Sequence, residues 1–179
     1  MVWWGVSYQG VTDLHFCAKG VKTTAKNYQE DILEQIVKPL NTKMFNGEHW
    51  IFQQDSAPAH KAKSTQQWLE TNVPEFIKAN EWPSESPDLN PLDYSLWAYL
   101  EEKVCSKRYH NLDQLKSALV RAMKEIPLEK VRVTIDQCPE LDPLIPPEEE
   151  RNQKCFACDG IQIIGPHTIQ DIKKVTTSM

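Results

Sequence analysis

Short apolar segments alternate with segments of helical periodicity, and this alternation limits the fold more than any other feature of the chain. Residues 2–8 and 11–17 are aromatic and β-branched, with a Gln-Gly pair between them, and predict a β-hairpin. Residues 24–38 repeat apolar side chains at helical spacing, and Pro39 predicts the end of that helix. A short strand at 49–54 follows. This alternation is typical of an α/β domain.

The second half of the chain is predicted to be mainly helical. A helix is expected at 60–71 and a further short strand at 76–77. Three prolines then stiffen the loop 82–91, in which Asn90 suits an N-cap and Pro91 a first helical position. Helices are predicted to start after Pro91 and at about 111–125 and 128–137.

The size and composition fit one soluble globular domain followed by a tail. The chain has 179 residues, 40% of them hydrophobic, and no apolar run approaches the roughly 20 residues of a membrane span. Residues 1–138 are predicted to form the domain. Residues 139–179 begin acidic and proline-rich, so we expect a poorly ordered appendage whose few apolar residues have little to pack against.

Five scattered cysteines do not predict a disulfide framework. An odd number without a secretory context favours reduced thiols. Cys155 and Cys158 form a single CxxC, whereas structural zinc would need a second pair. Zinc or redox chemistry and incidental cysteines both stay open.

The charge of the chain argues against a dedicated nucleic-acid-binding module, because the net charge is −5. Within 103–124, however, six basic residues stand against one acid. Lys103, Lys107 and Arg108 could therefore contact DNA phosphates. A solvated helix face explains the same pattern equally well.

Two aspartates stand apart from the surface carboxylates. Asp55 ends an apolar strand, and the carboxyl ends of strands are where ligands bind in open α/β sheets. Asp93 lies in the first turn of a helix behind the proline loop. Hard cations such as Mg²⁺ prefer carboxylate oxygens on rigid supports. Turn capping by Asp55 and a favourable helix dipole at Asp93 are the simpler alternatives.

Three segments resemble the catalytic domain of mariner-like DNA transposases. They are VWWGVS at 2–7, QQDSAPAH at 53–60 and WPSESPDLNPLDYSLW at 82–97. The resemblance covers about residues 1–138, with the motifs in order and at compatible spacing. It implies an α/β, RNase H-like mixed sheet flanked by helices, in which three carboxylates hold two Mg²⁺ or Mn²⁺ ions.

By motif position, Asp55 is similar to the second of these carboxylates and Asp93 to the third, with 37 residues between them. His60 and Asn90 match supporting positions, and a structural role is favoured for His60. Asp88 is similar to a motif aspartate that is not a ligand. Both catalytic and metal-binding roles are therefore expected of Asp55 and Asp93.

The resemblance also implies that the first, central strand of the sheet, with the first aspartate, lies before Met1. We expect a distorted sheet with an open gap and marginal stability. The alternatives are that the hairpin slides across to pair with 50–54, or that a tail segment such as 160–165 fills the gap.

The implied function of the complete enzyme is metal-dependent cleavage and strand transfer of transposon DNA. This chain is expected to be inactive alone, so its status as an enzyme stays open. The alternative is a non-catalytic DNA-binding or assembly module derived from a transposase. The implied partners are DNA at transposon ends and targets, with a homodimer or a full-length transposase as protein partner. No membrane partner is expected, and the implied location is the nucleus. An aspartic protease is remote, because no Asp-Thr/Ser-Gly signature is present.

Overall fold

The computed structural model describes residues 2–17, 23–83 and 87–137, and the backbone of residues 155–160. These residues form six strands that share one sheet. The strands are β1 Val2–Ser7, β2 Gly10–Val11, β3 His15–Phe16, β4 Trp50–Gln54, β5 Glu75–Phe76 and β6 Cys155–Gly160.

The helices form mostly where the periodicity predicts them. Helix α1 joins Ala25–Asn27, the π-helical stretch Tyr28–Val37 and Lys38–Lys43 without a break. The others are α2 Pro58–Lys61, α3 Lys63–Asn72, α4 with a π-helical start Leu92–Leu96 and a regular part Trp97–Cys105, α5 Leu112–Lys124 and α6 Leu128–Asp136. A 3-10 turn at Pro87–Leu89 precedes α4. No helix in the described ranges is long and apolar enough to cross a membrane.

The strand order is β2-β1-β6-β4-β5, and β3 pairs with β1. Strand β1 is antiparallel to β2, β3 and β6, whereas β4 is parallel to both β5 and β6. The sheet is therefore mixed, with parallel pairing at its centre, and helices cover its faces.

Alternation along the strands divides the apolar side chains between two cores, one on each face of the sheet. Trp4 and Ile51 join one core with α4, α5 and α6. Trp3, Trp50 and Phe52 join the other core with α1 and α3. The side chains of Trp3, Trp4 and Trp50 are fully buried, so the aromatic residues that predict these strands also fix which way each strand faces.

Pro39 does not end helix α1, so that prediction is wrong. The helix continues to Lys43 because the preceding turns are π-helical, with the N–H of Lys38 donating to the carbonyl of Leu33. A wider turn relieves the steric clash of a proline ring and tolerates its missing N–H. The predicted helix at 60–71 is likewise two helices, α2 and α3, which meet at Ala62.

The expected gap in the sheet is also wrong. Strand β6 lies between β1 and β4 and pairs with both, close to the alternative of a tail segment at 160–165. The tail is therefore not wholly an appendage. Its CxxC pair lies within β6, and the remaining residues of 139–179 are outside the described part of the chain.

Candidate functional site

Asp55 follows directly after the buried strand β4, at its carboxyl end. The backbone N–H of Ala57 donates to Asp55 Oδ1 over 2.9 Å, which fixes the carboxylate above the turn into α2. The Asp55 side chain is 32% exposed, so solvent can reach it. The turn-capping role and an accessible carboxylate therefore coexist at this residue.

His60 holds the same carboxylate from helix α2. Its Nδ1 lies 2.5 Å from Asp55 Oδ1, and its side chain is only 1% exposed. The ring packs on Tyr28 with centroids 4.4 Å apart, and the Tyr28 hydroxyl donates to Gln54 Oε1 over 2.8 Å. These contacts hold the imidazole between α1 and β4.

Asp93 is held by the loop that precedes α4. Asn90 Nδ2 donates to Asp93 Oδ2 over 3.1 Å, and Asn90 Oδ1 accepts the Leu92 N–H over 3.1 Å. The N–H of Asp93 itself donates to the Asn90 carbonyl over 2.9 Å. Asn90 is 2% exposed. It is the predicted N-cap, because its side chain accepts a hydrogen bond from the first turn of the helix and also donates one to the Asp93 carboxylate. The π-helical turn here is of a kind often found at functional sites.

One side-chain contact joins the two halves of the site. Gln53 Nε2 donates to the Leu89 carbonyl over 3.1 Å, in buried surroundings. Asp55 lies two residues beyond Gln53, and Asn90 directly follows Leu89, so the end of β4 and the start of α4 meet at one end of the sheet. Asp88, by contrast, is exposed. A separation of about 4–8 Å between the carboxylates of Asp55 and Asp93, which a pair of ions 3.5–4 Å apart would require, stays a prediction.

Sequence reasoning missed the supporting residues Tyr28, Gln53 and Gln54. The sequence did contain a signal for Gln53 and Gln54, because they are two glutamines in an otherwise apolar, buried strand. Buried amides need hydrogen-bond partners, and such partners tie a strand to its neighbouring elements. The pattern could not tell which elements those would be.

The basic residues Lys103, Lys107 and Arg108 lie together. With Arg121 they line an open groove of about 970 Å³ between the end of α4 and α5. Acidic residues line it as well, so the groove is not uniformly positive. Burial raises the pKa of the Tyr109 phenol in its wall, with a smaller upward effect of Cys105 and a lowering effect of Arg121.

The donor atoms at the end of β4 and the start of α4 suit a hard divalent cation. Asp55 and Asp93 offer carboxylate oxygens, and each carboxylate accepts a hydrogen bond that orients it. Oriented carboxylates on a strand end and a helix start are what Mg²⁺ or Mn²⁺ prefers. Among the side chains that the structure describes, no three His, Cys, Asp or Glu residues converge as a metal-binding group.

Fold and site together define a transposase catalytic domain of the Tc1/mariner type, with an RNase H-like sheet. A match to the DDE superfamily endonuclease family covers residues 2–116. The chain belongs to this family. Both the resemblance seen in the motifs and the predicted fold class are thereby confirmed.

Curated relatives include transposases of nematode elements. The chain is 34% identical over 119 residues to the transposase of transposable element Tcb1 from Caenorhabditis briggsae, covering 66% of this chain and 42% of that protein. It is 33% identical over 110 residues to the Tc1 transposase of Caenorhabditis elegans, covering 62% of this chain and 38% of that protein. The chain therefore spans about two fifths of the length of these relatives.

Solved structures agree with this placement. The catalytic domain of Mos1 mariner transposase superposes with a TM-score of 0.66 at 28% identity, over 78% of this chain and 68% of that one. The same domain with Raltegravir and Mn gives a TM-score of 0.65 at 26% identity, over 78% and 69%. A Mos1 paired-end complex with the left transposon end also matches, with a TM-score of 0.64 at 28% identity, over 77% and 39%.

Proposed function

We propose that this chain carries the acidic metal site of an enzyme that cuts and joins DNA at transposon ends. The observation that supports it best is the hydrogen bond from Gln53 to the Leu89 carbonyl, because it brings the two motif aspartates to one end of the sheet. The Mn and Mg structures of the related Mos1 catalytic domain support a divalent cation as cofactor.

In this proposal Asp55 and Asp93 are the ligands and the catalytic residues. When bound, Mg²⁺ or Mn²⁺ would activate an oxygen nucleophile for attack on a phosphodiester and stabilise the leaving oxygen. His60 keeps the Asp55 carboxylate in place, and Asn90 does the same for Asp93. Both supporting side chains are buried.

DNA is the proposed substrate, and Lys103, Lys107 and Arg108 its proposed contacts outside the acidic site. A second copy of this chain or a full-length transposase is the proposed protein partner. The support for it is that the related Mos1 mariner transposase has been solved as a paired-end complex. The nucleus is the proposed location, since it contains the chromosomal DNA that is the proposed substrate.

A metal titration tests this proposal. The purified chain should bind Mn²⁺, measured by electron paramagnetic resonance and calorimetry. Asp55→Asn and Asp93→Asn should each weaken binding at least about tenfold, because even outer-shell partners are worth 10–100-fold in metal affinity.

Asp88→Asn is the matched control. Asp88 belongs to the same loop as Asp93 and loses the same charge, but it is exposed, so its substitution should leave the Mn²⁺ affinity within about twofold of the original. A chain that binds no Mn²⁺, yet binds DNA or a transposase, would instead be a DNA-binding or assembly module.

A further inference from the structure

Helix α6 runs back along α4. The Tyr94 hydroxyl donates to the Thr134 carbonyl, and the hydroxyl oxygens of Ser95 and Thr134 lie 3.4 Å apart. One helical turn before Thr134, Lys130 reaches the ring of Tyr99, with its Nζ 5.0 Å from the ring centroid. Because earlier residues of α6 lie beside later residues of α4, the two helices are antiparallel and present one shared surface.

Two lysines share the ring of Tyr99 on that surface. Lys103, one turn further along α4, places its Nζ 5.6 Å from the same ring centroid. A lysine over an aromatic ring makes a favourable cation–π contact, which gives a long and flexible side chain a preferred position. We call these three residues, Tyr99, Lys103 and Lys130, the Tyr99 cluster.

The two positive charges of the Tyr99 cluster have no anionic partner in the part of the chain that the structure describes. Neither lysine forms an ion pair there, although Glu102 and Glu129 adjoin them in the sequence. Like charges held near one another repel, so an anion that reaches both ammonium groups would relieve an unfavourable arrangement. The cluster is therefore suited to an anionic partner.

The Tyr99 cluster continues the basic groove described above. Lys103 belongs to both, because it also lines the groove between α4 and α5 with Lys107, Arg108 and Arg121. Basic side chains thus extend from α5 across the end of α4 and onto α6. A row of cations from three elements fits a polyanion with charges at regular intervals better than it fits one small anion.

The chemistry of the Tyr99 cluster favours phosphate over bases. A ring with lysine ammonium groups over it offers little free face on which a base can stack, and stacking is how aromatic side chains hold bases. Lysine ammonium groups bind phosphate as point charges. Such contacts position a duplex but carry no sequence information directly.

We infer that the Tyr99 cluster extends the DNA-binding surface of this chain onto α6 and holds the backbone of duplex DNA of any sequence. Lys103 and Lys130 each contact a phosphate, and Tyr99 is the positioning residue for both. The inference rests on the proposed function, in which DNA is the substrate. It adds that this part of the surface does not depend on a transposon-end sequence and can therefore hold target DNA.

Salt-dependent binding of duplex DNA by the full chain tests this inference. Fluorescence anisotropy is measured with two duplexes of unrelated sequence at several salt concentrations. Lys130→Gln should lower the slope of log affinity against log salt concentration by about 0.9, the value of one phosphate contact, and equally for both duplexes. Combining it with Lys103→Gln should lower the slope by about 1.8.

Lys116→Gln is the matched control. Lys116 also lies over an aromatic ring, with its Nζ 5.3 Å from the centroid of Phe16, but it does not line the groove. Its substitution removes the same charge and the same kind of contact as Lys130→Gln does. The slope of this variant should equal that of the original chain.

Variants of Tyr99 separate positioning from charge. Tyr99→Leu keeps the net charge and should weaken DNA binding about two- to fivefold, which corresponds to the strength of an exposed cation–π contact. Tyr99→Phe keeps the ring and should bind DNA like the original chain. A merely structural role would lower the urea midpoint of Tyr99→Leu and leave the DNA affinity of its folded form unchanged.

Each remaining outcome would overturn the inference in a recognisable way. If Lys130→Gln changes the slope no more than Lys116→Gln does, α6 does not contact DNA, while the metal site of the proposed function stands. If the loss in Lys130→Gln is confined to one of the two duplexes, the cluster reads bases. If the original chain binds Mn²⁺ and polyglutamate but neither duplex, the partner of this surface is an acidic protein, and the metal site again stands.

Discussion

At the scale of single residues, buried side chains orient both carboxylates of the candidate site. His60 is the clearest case, because it is buried, packs on Tyr28 and lies 2.5 Å from Asp55 Oδ1. The sequence placed His60 beside Asp55 through its motif and favoured a structural role. The contacts that hold it come from Tyr28, 32 positions earlier, and no local pattern indicates such a partner.

His60→Ala should mainly destabilise the protein. It removes a buried ring and leaves the Asp55 carboxylate with one fewer partner, so we expect the free energy of unfolding to fall by about 2–4 kcal/mol. Urea denaturation measures this. His49→Ala is the control, because His49 and its partner Glu75 are about half exposed and such pairs contribute about 0–1 kcal/mol. Equal stability losses in the two variants would contradict the positioning role.

At the scale of elements, local signals predicted most of what the structure contains. The hairpin, β4 and α5 follow from aromatic, β-branched and helical patterns, and α5 begins where Asn111 caps it by accepting the Gln114 N–H. The prediction that the helix ends at Pro39 was wrong, because the π-helical turn that accommodates this proline is a property of the folded helix rather than of the local sequence.

The groove between α4 and α5 is the element on which DNA binding should depend. Replacing Lys103, Lys107 and Arg108 by glutamine should lower the slope of log affinity against log salt concentration by about 2–3, since each phosphate contact contributes about 0.9. Fluorescence anisotropy with duplex DNA at several salt concentrations measures this slope.

Its control removes three exposed lysines elsewhere. Lys26, Lys43 and Lys78 lie on α1 and after β5, and their replacement by glutamine causes the same change in net charge. That variant should keep the original slope. Similar losses in both triple variants would mean that overall charge, rather than the groove, governs DNA binding.

At the scale of the whole molecule, the sheet is completed by a segment that the sequence assigns to a tail. Cys155–Gly160 shows neither strict alternation nor a β-branched run, and it follows an acidic, proline-rich stretch. Its strand identity comes from pairing with β1 and β4 and not from local propensity. Such long-range pairing has no local signature, so a gap was the natural expectation.

Ending the chain after residue 137 should therefore loosen the sheet. Without β6, the facing edges of β1 and β4 lose their partners, and amide exchange at 50–54 should accelerate at least about 100-fold. A chain that ends after residue 165 keeps β6 and should retain the protection of the full chain. Equal protection in the chain of 137 residues would mean that β6 is not part of the sheet in solution.

The place of β6 also decides when the protein can fold. Trp4 pairs with Gly160, so the centre of the sheet joins segments made at very different times during synthesis. A ribosome must release nearly all of the strands and helices before the sheet can close, and contacts so distant in sequence slow folding. Until then the nascent chain exposes two unpaired edges, which are able to pair with other chains.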